Sequence, residues 1–129
     1  MREILYRGKN NHKWFYGDLR HLNGGRVTIF QDGEPFQYEV IPETVGQYTG
    51  LTDKNGVRVF EGDILSAHFD ESYPDDETLL LVGNNGYAFT LKEEDSAPEI
   101  INNDDMRFFD ETFVVIGNVH DNPGLLKGE

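Results

Sequence analysis

Carboxylates dominate the side chains of this chain that could do chemistry: 24 Asp and Glu stand against 11 Lys and Arg and 4 His, with no Cys. Closely spaced acids can share a proton in general acid–base catalysis or converge on a calcium ion. Asp70, Glu71, Asp75, Asp76 and Glu77 lie in one short stretch, and Asp104 and Asp105 in another. Neither stretch has the alternating ligands and central glycine of a calcium-binding loop. Acids this numerous also lose diagnostic value for catalysis, so both stretches read as solvated loops and no metal site is expected. Asp53-Lys54-Asn55-Gly56 has a superficial likeness to a calcium loop, and a hairpin turn explains it. The four histidines, His12, His21, His68 and His120, have no ligand spacing among themselves. Ser66, Ser72 and Ser96 lie outside any Gly-x-Ser-x-Gly elbow, and no phosphate-binding, dinucleotide-binding or His-Glu-x-x-His motif is present. No catalytic residue and no cofactor is expected, and the reading is not an enzyme.

The elements that would position such side chains are short strands punctuated by turn residues. Glu3–Arg7 reads as a first strand ending at Gly8, and Lys13–Leu22 as a second, interrupted at Gly17. Asn23-Gly24-Gly25 turns the chain into Arg26–Phe30, and Asp32-Gly33-Glu34-Pro35 turns it into Phe36–Ile41. In that strand Phe36, Tyr38 and Val40 share one face by the two-residue period, and that face is expected to be buried. Trp14 and Tyr16 face one way and Phe15 the other. Asn55-Gly56 is the dipeptide that most readily takes positive φ at both centres of a tight turn. It is followed by strands at Val57–Phe60, Asp63–Phe69, Thr78–Gly83, Tyr87–Leu91 and Thr112–Val119. Gly46, Gly50, Asn55, Gly56, Gly62 and Gly117 are turn or close-packing positions. Two acid-rich stretches, Asp70 to Glu77 and Glu93 to Glu111, read as loops, the second carrying the apolar island Met106-Arg107-Phe108-Phe109.

Strands this short, with turn signals about every ten residues and almost no helical period, define an all-β (mainly β) fold. The expected organisation is an N-terminal β-meander over residues 1–44 and a second region over 45–129, packed as one compact unit. A run of such strands closes most easily as a small barrel. At 129 residues the chain is long enough to bury a core unaided. No apolar run approaches the roughly 20 residues of a membrane helix, and the first residues are charged. A cytoplasmic protein without membrane contact is therefore expected. The net charge of −13 is uneven: residues 1–60 hold 8 Lys and Arg against 7 Asp and Glu, whereas residues 61–129 hold 3 against 17. That acidity opposes direct nucleic-acid binding, which rests on Lys and Arg contacts to phosphate.

Three separated blocks carry a family resemblance. Thr44-Val45-Gly46-Gln47-Tyr48-Thr49-Gly50-Leu51-Thr52-Asp53-Lys54-Asn55-Gly56, followed by Phe60-Glu61-Gly62-Asp63-Ile64, resembles the central signature of the YopX family. The opening Met1-Arg2-Glu3-Ile4-Leu5-Tyr6-Arg7-Gly8-Lys9 with Trp14-Phe15-Tyr16-Gly17, and the close Val115-Ile116-Gly117-Asn118-Val119-His120-Asp121-Asn122-Pro123, are similar to its ends. The resemblance implies a small protein encoded by phages and prophages of Gram-positive bacteria, in which the second region resembles an SH3-like barrel. It implies no activity, cofactor or catalytic residue.

Three functions fit these features. The first is a non-enzymatic accessory protein that binds another protein through Asp75, Asp76, Glu77, Met106, Phe108 and Phe109, where acids lie beside apolar side chains. The second is an acidic mimic of nucleic acid that occupies a DNA-binding protein of the host. The third is a structural homo-oligomer subunit.

Overall fold

The computed structural model describes residues 5–68, 77–86, 88–93, 97–100 and 112–125. Among them the regular elements are eleven β-strands and two 3-10 turns, so the chain is all-β. No helix of the described residues is long and apolar enough to cross a membrane. The chain divides into two compact units, Met1–Gly50 and Leu51–Glu129, and the division falls inside a strand.

The first unit is built from β1 (Tyr6–Asn10), β2 (Lys13–His21), β3 (Val27–Phe30), β4 (Gln37–Val40) and the start of β5 (Gly46–Thr52), hydrogen-bonded in the order β4-β3-β2-β1-β5. Every pairing is antiparallel. The meander expected here is present, and its core is formed by Phe15, Val27, Ile29 and Val40, with Tyr6, Leu19, Tyr38 and Val45 packed against them. The sheet coils until the chain beyond β4 meets β1. The Ile41 N–H donates to the Lys9 carbonyl (2.9 Å), and Asn10 Nδ2 donates to the Glu39 carbonyl (2.8 Å). Coiling also stacks Phe15 on Tyr38, with ring centroids 4.4 Å apart and planes 16° from parallel. Such a pair adds about 0.5–1.5 kcal/mol beyond the area it buries.

Three expectations for individual residues are corrected. β1 does not end at Gly8 but runs on to Asn10. β2 is continuous through Gly17. Both glycines are sites of close approach: a Cβ at Gly17 would lie 1.8 Å from the Phe30 carbonyl oxygen, and one at Gly8 would lie 2.5 Å from Val40 Cγ2. Phe36 is not buried with Tyr38 and Val40. It precedes β4 and is 66% exposed, because the turn closed by the Glu34 N–H to Gln31 carbonyl bond delays the strand until Gln37. Between β1 and β2, Asn11 and His12 both take positive φ (51° and 66°), which makes this the two-residue turn with left-handed centres.

In the second unit, β6 (Arg58–Phe60) lies beside the end of β5, and a sheet runs in the order β10-β9-β8-β7-β11. Its members are β7 (Asp63–Ala67), β8 (Thr78–Asn84), β9 (Phe89–Glu93), β10 (Glu99–Ile100) and β11 (Phe113–Asn118). β7 lies between β8 and β11, and all five of its residues are buried. That accounts for an apolar run, Ile64 and Leu65, where a half-exposed strand would alternate. Leu51, Val59, Leu65, Ala67, Leu80, Val82 and Phe113 form the core of this unit. Its sheet order has two open ends, and no closed barrel is seen among the described residues. The stretch read as a loop from Glu93 to Glu111 contains a short strand, β10, which pairs Glu99 with Leu91 and Ile100 with Thr90.

Candidate functional site

The signature region is where buried polar side chains gather. Asp53, at the end of β5, is 2% exposed and has both carboxylate oxygens engaged. Oδ1 accepts the N–H groups of Asn55 and Val57, each at 2.8 Å, and Oδ2 accepts the Val115 N–H at 2.9 Å. The Asp53 carbonyl accepts the Gly56 N–H (3.0 Å), and the Asp53 N–H donates to the Val57 carbonyl (2.8 Å). Only Gly56 takes positive φ here (80°); Asn55 does not. The expected turn with two left-handed centres is therefore replaced by a three-residue loop, a tight turn over Lys54 and Asn55 completed by a left-handed glycine. The Asp53 carboxylate selects this form by holding two turn N–H groups at once.

The same loop covers the outer edge of β11. The Lys54 N–H donates to the Phe113 carbonyl (2.8 Å), next to the Val115 bond to Asp53. Beyond Val115 the β7–β11 register slips, with Val115 opposite Leu65 and Gly117 opposite Ile64. An edge strand whose N–H and C=O groups are taken up in this way is not a template for further pairing.

Two more buried groups serve the backbone. Asp63, 1% exposed, accepts the Phe60 N–H on Oδ2 (2.7 Å) and so closes the turn from β6 to β7. Asn118, at the end of β11, accepts the N–H groups of His120 and Asp121 on Oδ1 (3.0 and 2.9 Å), and its Nδ2 donates to Asp121 Oδ2 (3.2 Å). The Gly62 N–H donates to the Val82 carbonyl, and the Gly62 carbonyl accepts the Val119 N–H. The central and closing blocks of the sequence are thus tied together. Gly50, Gly56 and Gly62 have positive φ (89°, 80° and 90°), Gly46 does not, and a Cβ at Gly117 would lie 2.5 Å from Asn122 Oδ1.

Of the residues singled out for partner contact, the structure describes one. Glu77 is exposed and accepts the Ser66 hydroxyl on Oε2 at 2.6 Å, which ties the residue before β8 to β7. Asp75, Asp76, Met106, Phe108 and Phe109 lie outside the described residues.

In the first unit, Arg7 and Lys9 pair across the β1–β2 hairpin with Tyr16 and Trp14, so all four share a face. The Arg7 guanidinium lies 4.7 Å and Lys9 Nζ 5.8 Å from the Trp14 ring centroid, within cation–π range. Sequence reasoning separated Trp14 and Tyr16 from Phe15 correctly and missed the cations, although their offset on β1 follows once the register is known. Tyr16 is 43% exposed on this face. Elsewhere in the unit the hydrogen bond from Arg26 (2.7 Å) holds the Glu39 carboxyl below the usual carboxylate range and pushes Arg26 up. Burial, with the Glu34 carboxylate nearby, raises the Tyr38 hydroxyl.

These arrangements can hold turns and strand edges in place. The comparisons agree with the architecture. No curated protein matches the chain. The crystal structure of protein EF1440 from Enterococcus faecalis is similar, with a TM-score of 0.59 and 22% identity over 98% of this chain and 99% of that one, a likeness of fold. The model of the YopX protein family matches residues 5–127. The chain belongs to the YopX family.

Proposed function

We propose that this chain is a non-enzymatic accessory protein of a phage or prophage that works in the host cytoplasm by binding another protein. The observation that carries the reading is the occupation of the signature's buried polar groups. The Asp53 carboxylate and the Asn118 amide are taken up by the chain's own backbone N–H groups, and Asp63 closes a turn. Groups held this way build a scaffold and do not meet a substrate. Contact then falls to side chains outside the signature, and the acids Asp75, Asp76 and Glu77 with the apolar Met106, Phe108 and Phe109 are the proposed surface. Apolar anchors beside charges are the ordinary make-up of a protein interface.

The experiment is affinity capture from host lysate with the wild-type chain, with Asp75→Asn/Asp76→Asn/Glu77→Gln, and with Phe108→Ser/Phe109→Ser. A discrete partner held by wild type and lost by either variant supports the reading, and identical captures from all three overturn the assignment of the surface. The charge division between residues 1–60 and 61–129 favours a second reading, an acidic mimic of nucleic acid. Under that reading the partner is a DNA-binding protein that double-stranded DNA displaces.

A further inference from the structure

Three Asn-Gly dipeptides occur in the chain: Asn23-Gly24, Asn55-Gly56 and Asn85-Gly86. This is the sequence in which an asparagine most readily loses its amide. The glycine backbone nitrogen attacks the side-chain Cγ, ammonia leaves, and the resulting cyclic imide is opened by water to aspartate or isoaspartate. Glycine permits the attack because no Cβ obstructs the approach and its backbone is free to rotate. The reaction needs a glycine N–H that can give up its proton and a side chain free to swing onto it.

The fold treats the three sites differently. At Asn55-Gly56 the attacking N–H is held by the Asp53 carbonyl at 3.0 Å, and the Asn55 N–H is fastened to Asp53 Oδ1. At Asn85-Gly86 the attacking N–H is held by Asn84 Oδ1 at 2.7 Å, and the Asn85 side chain is itself engaged, its Oδ1 accepting the Ala88 N–H at 2.9 Å. At Asn23-Gly24, in the 3-10 turn between β2 and β3, neither restraint is present among the described residues. The turn is closed outside the dipeptide by the Leu22 N–H to Arg26 carbonyl bond (2.8 Å). All three dipeptides are exposed and all three glycines have positive φ (79°, 80° and 95°), so the hydrogen bonds on the attacking N–H are what separate the sites.

We propose that Asn23 is a spontaneous modification site of this protein, converted by water to aspartate and isoaspartate through the Gly24 imide, while Asn55 and Asn85 are protected by the fold. Conversion puts a new carboxylate into the turn that leads to Arg26, and the isoaspartate product adds a backbone carbon to the β2–β3 connection. Holding the attacking N–H in a hydrogen bond is expected to slow a site by roughly tenfold, the rate equivalent of about 1.4 kcal/mol.

The test is ageing of the purified full chain at mildly alkaline pH in heavy-oxygen water, followed by peptide mapping, with isoaspartate scored by fragmentation. The same incubation in concentrated urea measures the sites without the fold. The expected result is loss of the Asn23 amide roughly tenfold faster than at Asn55 or Asn85 in the native chain, with the three rates converging in urea. Native conversion of Asn55 or Asn85 at the Asn23 rate overturns the proposal. So does an Asn23 preference that persists unchanged in urea, because the fold would then not be its cause.

Discussion

Replacing Asp53 by Ala should open the second unit at one specific place, the edge of β11. The substitution removes the acceptor for three backbone N–H groups, those of Asn55, Val57 and Val115. Asn55 and Val57 lie on an exposed turn, where water can take up their N–H groups, so each loss sits near the low end of the roughly 1–3 kcal/mol cost of an unmade bond. The Val115 N–H is partly buried against a 2%-exposed carboxylate, and its loss sits higher in that range. The total is about 3–4 kcal/mol, a large share of the roughly 5–15 kcal/mol that holds a domain folded. Asp53→Asn is the graded variant, because its single amide oxygen can still serve the turn while its NH₂ opposes the Val115 N–H. The sole tryptophan, Trp14, belongs to the first unit, so its fluorescence is the wrong probe. Amide hydrogen exchange resolved by residue is the right one. Asp53→Asn should speed exchange at Val115 by about tenfold or more while sparing Ile29 of the first unit. An unchanged Val115 rate in Asp53→Asn, or a loss below about 1 kcal/mol in Asp53→Ala, would refute the reasoning.

Other substitutions test the first unit. Gly17→Ala forces a Cβ onto the Phe30 carbonyl oxygen and should separate β2 from β3, a loss of about 3 kcal/mol or more read by urea titration of Trp14 emission. His12→Gly relieves a bulky residue held at positive φ and should raise stability by about 0.5–1 kcal/mol in the same titration. NMR titration should find Glu39 below the usual glutamate range, and Arg26→Ala should return it upward. Because Glu39 is lowered on folding, its small contribution is present above the ordinary glutamate pKa and is lost as pH falls through the folded value. Added salt should shrink it.

How much of this was readable from the residues depended on whether the cause was local. The alternation of Trp14, Phe15 and Tyr16, the turns at Asn23–Gly25 and Asp32–Pro35, and the β8–β9 hairpin over Asn84–Gly86 are dictated by neighbours in sequence and were legible. From sequence alone Gly8 and Gly17 look like interruptions, because a glycine looks the same whether it breaks a strand or admits a close neighbour. Only the position of Val40 and Phe30 distinguishes the two. The Asn11-His12 turn carries no glycine, the residue that marks most two-residue turns with left-handed centres, so nothing local announces it. Asp53 reads from sequence as a turn residue, but its second oxygen serves Val115, 62 residues away, and no local pattern carries that bond. Phe36 fitted the two-residue period and still fell outside β4, because the turn that ends at Pro35 sets where pairing starts.

Capture of the tagged chain's partners from host lysate, first at low and then at moderate salt, tests most directly the claim that this is a binding protein. The account predicts a discrete protein partner that stays through the salt step, held by apolar side chains that salt does not screen. A basic partner lost at the salt step and displaced by DNA would move the reading to nucleic-acid mimicry. No partner at either salt, with the chain self-associated in light scattering, would contradict the account and leave a structural homo-oligomer.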